Sequence, residues 1–248
     1  MNHCFIIDHS PGEREYRSLV TSEGLFCFTA TVKESDLFIS AEKDLSSEAL
    51  KSLLKFRAHL ESYGAFHADF LTTLAPMPDD PLAPSIVRSM IKASHTANVG
   101  PMAAVAGAVA EYVGKDLAPL VSNLIIENGG DIYFNLLDRE GRVAIFAGAS
   151  PLSYKVHLTI KPIRTPLAVC TSSATVGPSI SFGKADAVTV LSTSGALADA
   201  AATALCNMVR HKNDIKKTLD YASAIEGVRG AVIVVDDVLG AWGEVELS

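Results

Sequence analysis

Aromatic side chains are scarce in this chain, at 7% of 248 residues with a single tryptophan. Hydrophobic residues still make up 48% and mean hydropathy is +0.26, so alanine and valine carry the apolar excess. Such a composition packs through small side chains and predicts a buried subunit interface, hence a homo-oligomer. Cysteine is sparse too: Cys4, Cys27, Cys170 and Cys206 are scattered, form no Cys-x-x-Cys pair, and read as reduced thiols. No dense Lys/Arg cluster exists, and 21 basic against 28 acidic residues leave a net charge of −7. That balance argues against nucleic acid and anionic membrane surfaces as partners. No run approaches the eighteen apolar residues of a membrane span; the longest candidate, 99–110, holds Gly100 and Pro101 and stops at Glu111. The first residues lack a basic region followed by an apolar stretch, so a cytoplasmic location is expected. The phosphate-loop, dinucleotide-fingerprint and zinc-protease motifs are all missing, and His95 and His157 are too isolated to argue a catalytic triad.

What is present has the punctuation of an α+β chain. Apolar runs at 15–20, 25–32 and 36–40 predict an antiparallel meander. Helical periodicity over 46–63 predicts a helix stopped by Gly64, and Pro76, Pro78, Pro81 and Pro84 then mark an irregular loop. Pro84 opens a helix to about Ala97, and a second follows from Val99 to Gly114. Residues 102–110 of that helix are apolar on every side, which predicts burial on every side. Its N-terminal amides have no acidic neighbour in sequence and are expected to stay available to a phosphate. Strands are predicted at 121–127, 131–136, 142–146, 156–160, 167–171, 187–191, 231–235 and 242–247, with a helix over 214–225. Two long helices and a late strand pair in each half would fit an internal duplication, whether as one domain over 1–248 or as two lobes divided near 115–120.

Residues 195–209 hold the most specific pattern. Asp199, Thr203 and Asn207 fall at i, i+4 and i+8, one row on a helix otherwise made of small or apolar residues. A solvated stripe is one reading; short oxygen ligands for a hard cation, open to close approach, is the other. Asn128-Gly129-Gly130-Asp131 is a hairpin-turn signal, or a place where glycines let backbone amides meet a ligand. Thr171-Ser172-Ser173 begins a hydroxyl-rich stretch to Lys184, an ordinary loop or a set of donors with one point charge.

These segments, in this order, resemble the ApbE-like superfamily of flavin transferases. Residues 198–205, Ala-Asp-Ala-Ala-Ala-Thr-Ala-Leu, are similar to its late Ala-Asp-Ala-x-x-Thr-Ala-Leu signature, and Val188-Thr189-Val190 precedes them. Residues 128–132 resemble its Gly-Gly-Asn/Asp-Ile segment, and 171–173 its Thr-Ser-Gly. Residues 99–107, 127–131, 170–173 and 181–187 are similar to an uncharacterised branch of that superfamily over almost the whole chain. The resemblance implies a T-fold-like architecture of mixed or antiparallel sheets covered by helices. It implies FAD or a related flavin nucleotide as an anionic small-molecule ligand, held with Mg²⁺. The metal would fall to Asp199 and Thr203, with a backbone carbonyl near Val105 as a third ligand. Cofactor contacts would fall to Gly100, Pro101, Met102, Asn128, Gly129, Gly130, Asp131, Thr171, Ser172, Ser173 and Lys184. Two departures stand out: Ala106 replaces the superfamily's lysine, and the stretch before Val188 lacks its histidine-bearing insert.

Overall fold

The computed structural model describes residues 20–21, 24–162, 166–175 and 183–248. Along them run β1 (Val20–Thr21), β2 (Phe26–Val32), β3 (Ser35–Ala41), α1 (Ser46–Phe66), α2 (Ala68–Thr72), α3 (Ser85–Ala97) and α4 (Val105–Leu117). The chain continues through β4 (Asn123–Asn128), β5 (Asp131–Leu136), β6 (Gly141–Ala144), β7 (His157–Ile160), β8 (Leu167–Ser172) and β9 (Ala187–Ser192). It ends with α5 (Gly195–Met208), α6 (Ile215–Ala224), β10 (Val228–Val235) and β11 (Val238–Gly243).

Eight strands form one sheet in the order β11-β10-β9-β8-β5-β4-β3-β2, with every neighbouring pair antiparallel. Period-two alternation divides its side chains between two cores. Ile126, Tyr133, Cys170, Val188, Val190 and Ile233 face the helices, whereas Ile125, Ile132, Phe134, Val169, Leu191 and Val234 face a small sheet, β1-β6-β7. Strands β4 and β9 are buried at every residue, which is why they read as unbroken apolar runs. Each half of the large sheet repeats one connectivity: a hairpin, then helices, then a second hairpin.

Several expected boundaries move for identifiable reasons. Gly64 does not end α1, which continues to Phe66; the glycine is needed because a Cβ there would lie 2.9 Å from Leu71. Gly114 likewise sits inside α4, where the Tyr133 ring takes the space of a side chain, 2.3 Å from a Cβ. The last strand begins at Val238 because Asp236, at φ 52°, and Asp237 make a two-residue turn with β10. Gly243, at φ 84°, ends it against the Arg229 carbonyl. Of the expected strand 15–20, residues 15–19 lie outside the described residues, and Val20–Thr21 pairs with β6 instead of extending the β2–β3 hairpin. Residues 102–110 are not buried throughout: Met102, Ala103, Val105 and Ala106 are half-buried, on the part of the chain that approaches the candidate site.

Candidate functional site

Ser194 caps α5 by accepting from the Leu197 N–H. Ala196, Ala198, Ala200, Ala201 and Ala202 press the helix into its neighbours, while Asp199, Thr203 and Asn207 form its half-buried row. The row therefore exists as the helical period requires, and its upper end is enclosed by other elements. The Asp199 carboxylate accepts from the Gly107 N–H at 2.9 Å and also from the Ala106 N–H. Asn128 donates from Nδ2 to the Ala106 carbonyl at 3.0 Å. Asp199, the start of α4 and the Asn-Gly-Gly-Asp segment thus meet at one place.

That segment is also the β4–β5 hairpin turn, with Asn128 opposite Asp131. Gly129 and Gly130 have φ 65° and 103°, which selects glycine, and a Cβ at either would meet nothing within 4 Å. The turn reading holds; the space beside both glycines is open, while the Gly130 N–H is already taken by Glu127 Oε1 at 2.8 Å. Asp131 follows, 6% exposed, accepting from the Cys170 thiol and the Thr171 N–H, while Oδ1 has no hydrogen-bond partner among the described residues. Ser172, two residues beyond Cys170, is 4% exposed, and its Oγ is also without a partner among the described residues.

Burial raises the Asp131 carboxyl well above the usual carboxylate range, and the charge of Asp199 raises it further. Burial also pushes Asp199 up to about 7, against the lowering effect of the Gly107 and Ala106 amides. Desolvation, and then the two carboxylates, push the Cys170 thiol well above its ordinary value. Two apposed carboxylates, one with an unused oxygen, create a demand for positive charge. No group of three His, Cys, Asp or Glu side chains placed to hold a metal ion occurs among the described residues. Thr203 follows Asp199 one helical turn on, in the same half-buried row.

Other expected contacts fall differently. The α-helical part of α4 begins at Val105, after a 3-10 turn at Pro101–Ala104, and its first amides are already taken by Asp199. The amides expected to stay open at this helix start are therefore occupied at Ala106 and Gly107. Gly100 has a packing reason, since a Cβ there would lie 2.0 Å from the Thr73 carbonyl; Pro101 is buried and Met102 half-buried. Thr171 turns its hydroxyl to Thr189 at 2.9 Å, on the sheet face away from α5, so only its N–H serves the site. Ser173 accepts from the Thr175 N–H at 3.1 Å. Lys184 is tied by its N–H to the Val209 carbonyl at 2.7 Å, at the far end of α5. It lines a cleft of about 610 Å³ with Thr175, Arg210, His211 and Lys212, roughly 15 Å along the helix from Asp199. Residues 176–182 of the hydroxyl-rich stretch lie outside the described residues.

Sequence reading passed over Glu111, which the structure buries beside α5. Its carboxylate accepts from the Gly195 N–H at 2.7 Å and the Ala196 N–H at 3.4 Å. A signal was present: Gly107-Ala-Val-Ala-Glu111 and Gly195-Ala-Leu-Ala-Asp199 share one spacing of glycine and acid.

The fold and these residues define an ApbE-like α+β protein. A family profile described as "AbpE bacteria" matches residues 17–246, and the chain belongs to that family. It is 41% identical over 220 residues to the UPF0280 protein MJ1526 of Methanocaldococcus jannaschii, covering 86% of this chain and 89% of that one. A UPF0280 protein of Methanosphaerula palustris is 44% identical over 215 residues, with 86% and 89% covered. Among solved structures, the flavin transferase ApbE from Vibrio cholerae aligns with a TM-score of 0.59 and 13% identity, over 90% of this chain and 97% of that one. The ApbE protein of Thermotoga maritima aligns at 0.54 and 10%, over 87% and 96%. At these identities the likeness is one of fold. Among the described residues no helix is long and apolar enough to cross a membrane.

Proposed function

We propose that this chain binds a flavin nucleotide such as FAD, or a similar phosphorylated heterocycle, together with Mg²⁺. The observation that carries the reading is the apposition of buried Asp131, one oxygen of which has no hydrogen-bond partner among the described residues, with half-buried Asp199, one helical turn from Thr203. Asp199 and Thr203 would hold the cation, with Asp131 facing it, and the bound cation would neutralise charge on the ligand's phosphates. Gly129 and Gly130 leave room for a flat ring against backbone, and Asn128 fixes the start of α4 beside it. Lys184 would meet only a part of the ligand reaching the far end of α5.

Flavin transfer itself is not part of the reading. Residues 173–187 contain no histidine, and Ala106 stands where the superfamily carries lysine, so this chain is a binder without the transfer chemistry. Incubation with FAD, Mg²⁺ and a Ser/Thr acceptor peptide, read by mass spectrometry, tests this. Unmodified peptide and intact FAD are expected; a flavinylated peptide or released FMN would overturn it. We further place the protein in the cytoplasm as a homo-oligomer. Phe66, Leu74 and Leu82, 87%, 64% and 95% exposed, supply apolar surface for self-association. Light scattering after size exclusion decides that point, and a clean monomer at micromolar concentration would refute it.

A further inference from the structure

Glu111 is 4% exposed. Its carboxylate accepts from the Gly195 and Ala196 N–H groups and from the Ser194 hydroxyl at 3.3 Å, and Lys115 pairs with it one turn on. Asp199 does the reciprocal thing, accepting from Gly107 and Ala106. Each helix thus begins with amides satisfied by a carboxylate of the other, where unpaired N–H groups and the helix dipole favour negative charge. The contact leaves little slack, because a Cβ on Gly195 would lie 2.3 Å from the Gly107 carbonyl oxygen and 3.0 Å from the Glu111 Cβ. Asp199 stands one turn beyond the amides that Glu111 holds, so the place of its carboxylate depends on where α5 begins.

We propose that Glu111 is a positioning residue for Asp199, fixing the start of α5 so that the Asp199 carboxylate sits on Gly107 and beside Asp131. Its consequence for ligand binding rests on the reading of Asp199 as the cation ligand. The two carboxylates differ in what surrounds them. Glu111 is closed by Lys115 and serves structure, while Asp199 faces Asp131 and keeps capacity for a cation. Outer groups that orient a metal ligand typically change affinity by about 10- to 100-fold when removed.

Amide hydrogen exchange at Gly107, in glycine-labelled protein, reads the position of Asp199 directly. The variants are Glu111→Ala, Glu111→Asp and Glu111→Gln, with Asp199→Ala as reference. Leu136→Ala, in the core on the opposite sheet face, serves as a control for general destabilisation. Gly107 should exchange about tenfold faster or more in Glu111→Asp and Glu111→Ala than in the control, and likewise in the Asp199→Ala reference. Glu111→Gln, which keeps an acceptor, should restore most of the protection. Calorimetry with Mg²⁺ alone should show affinity about 10- to 100-fold weaker in Glu111→Asp. Gly107 exchange in Glu111→Asp no faster than in the control overturns the proposal, whatever the protein does with Mg²⁺. A Gly107 response in a protein that takes up no Mg²⁺ would support the positioning role and refute the cation reading of Asp199.

Discussion

Gly107 and Gly195 meet backbone to backbone: a Cβ on either would lie 2.3 Å from the other's carbonyl oxygen. No side chain fits this contact, and it brings the starts of α4 and α5 close enough for Asp199 and Glu111 to cap each other's helix. Gly107→Ala or Gly195→Ala should cost about 1–3 kcal/mol or more through overpacking of backbone against backbone. Denaturant unfolding measures this, and a loss below about 0.5 kcal/mol, typical of surface changes, would show that the helices part easily.

Asp131 and Asp199 both have folded-state values above their ordinary 3.8. An acid raised in the folded state stabilises fully below its unfolded value, and that contribution is lost as pH rises through the folded value. For Asp199 the window runs from near 3.8 up through about 7. In metal-free protein, Asp199→Asn should therefore match the wild type near pH 4 and exceed it in melting temperature near pH 8. Mg²⁺ should raise the wild-type melting temperature more as pH climbs through the same window, and should not raise that of Asp199→Asn. A wild-type advantage over Asp199→Asn at pH 8 without metal would contradict the assignment.

Asn123 tests the fold away from the site. Buried at the start of β4, it donates from Nδ2 to Glu42 and Asp138, each at 2.7 Å, and accepts from the Leu137 N–H at 3.1 Å. Asn123→Ala leaves the two carboxylates without their shared donor and should cost about 2–3 kcal/mol. Asn123→Asp should be worse, because it adds a third negative charge. If both variants unfold at the wild-type denaturant midpoint, the network is incidental.

Patterns local in sequence were legible. The Asp199–Thr203–Asn207 row follows from helical period alone, and Asn128-Gly129 announced the turn that also opens the site. Strand runs such as 131–136 fell where alternation and apolar content put them. What depends on distant partners was hidden. Gly64 and Gly114 look like helix stops until Leu71 and Tyr133 are seen to need their space. Thr171 and Ser172 are alike in sequence, but strand phase sends one to each face of the sheet. Glu111 lies 84 residues from the amide it caps, so only the repeated glycine–acid spacing hinted at its partner. The amides expected to be free at the start of α4 are occupied for the same reason, since Asp199 arrives from 92 residues away.

Asp199 is the residue we propose to hold Mg²⁺ against the phosphates of a flavin nucleotide. The most direct test is the melting temperature of wild type and Asp199→Ala with FAD, in Mg²⁺ and in EDTA. Ligand at about 100 times its dissociation constant stabilises by about 2.7 kcal/mol, a shift of about 5–11 °C for a chain of this size. That shift is expected in wild type with FAD and Mg²⁺ together, and is expected to vanish in EDTA and in Asp199→Ala. An equal shift in EDTA, or one that survives Asp199→Ala, would contradict the proposal.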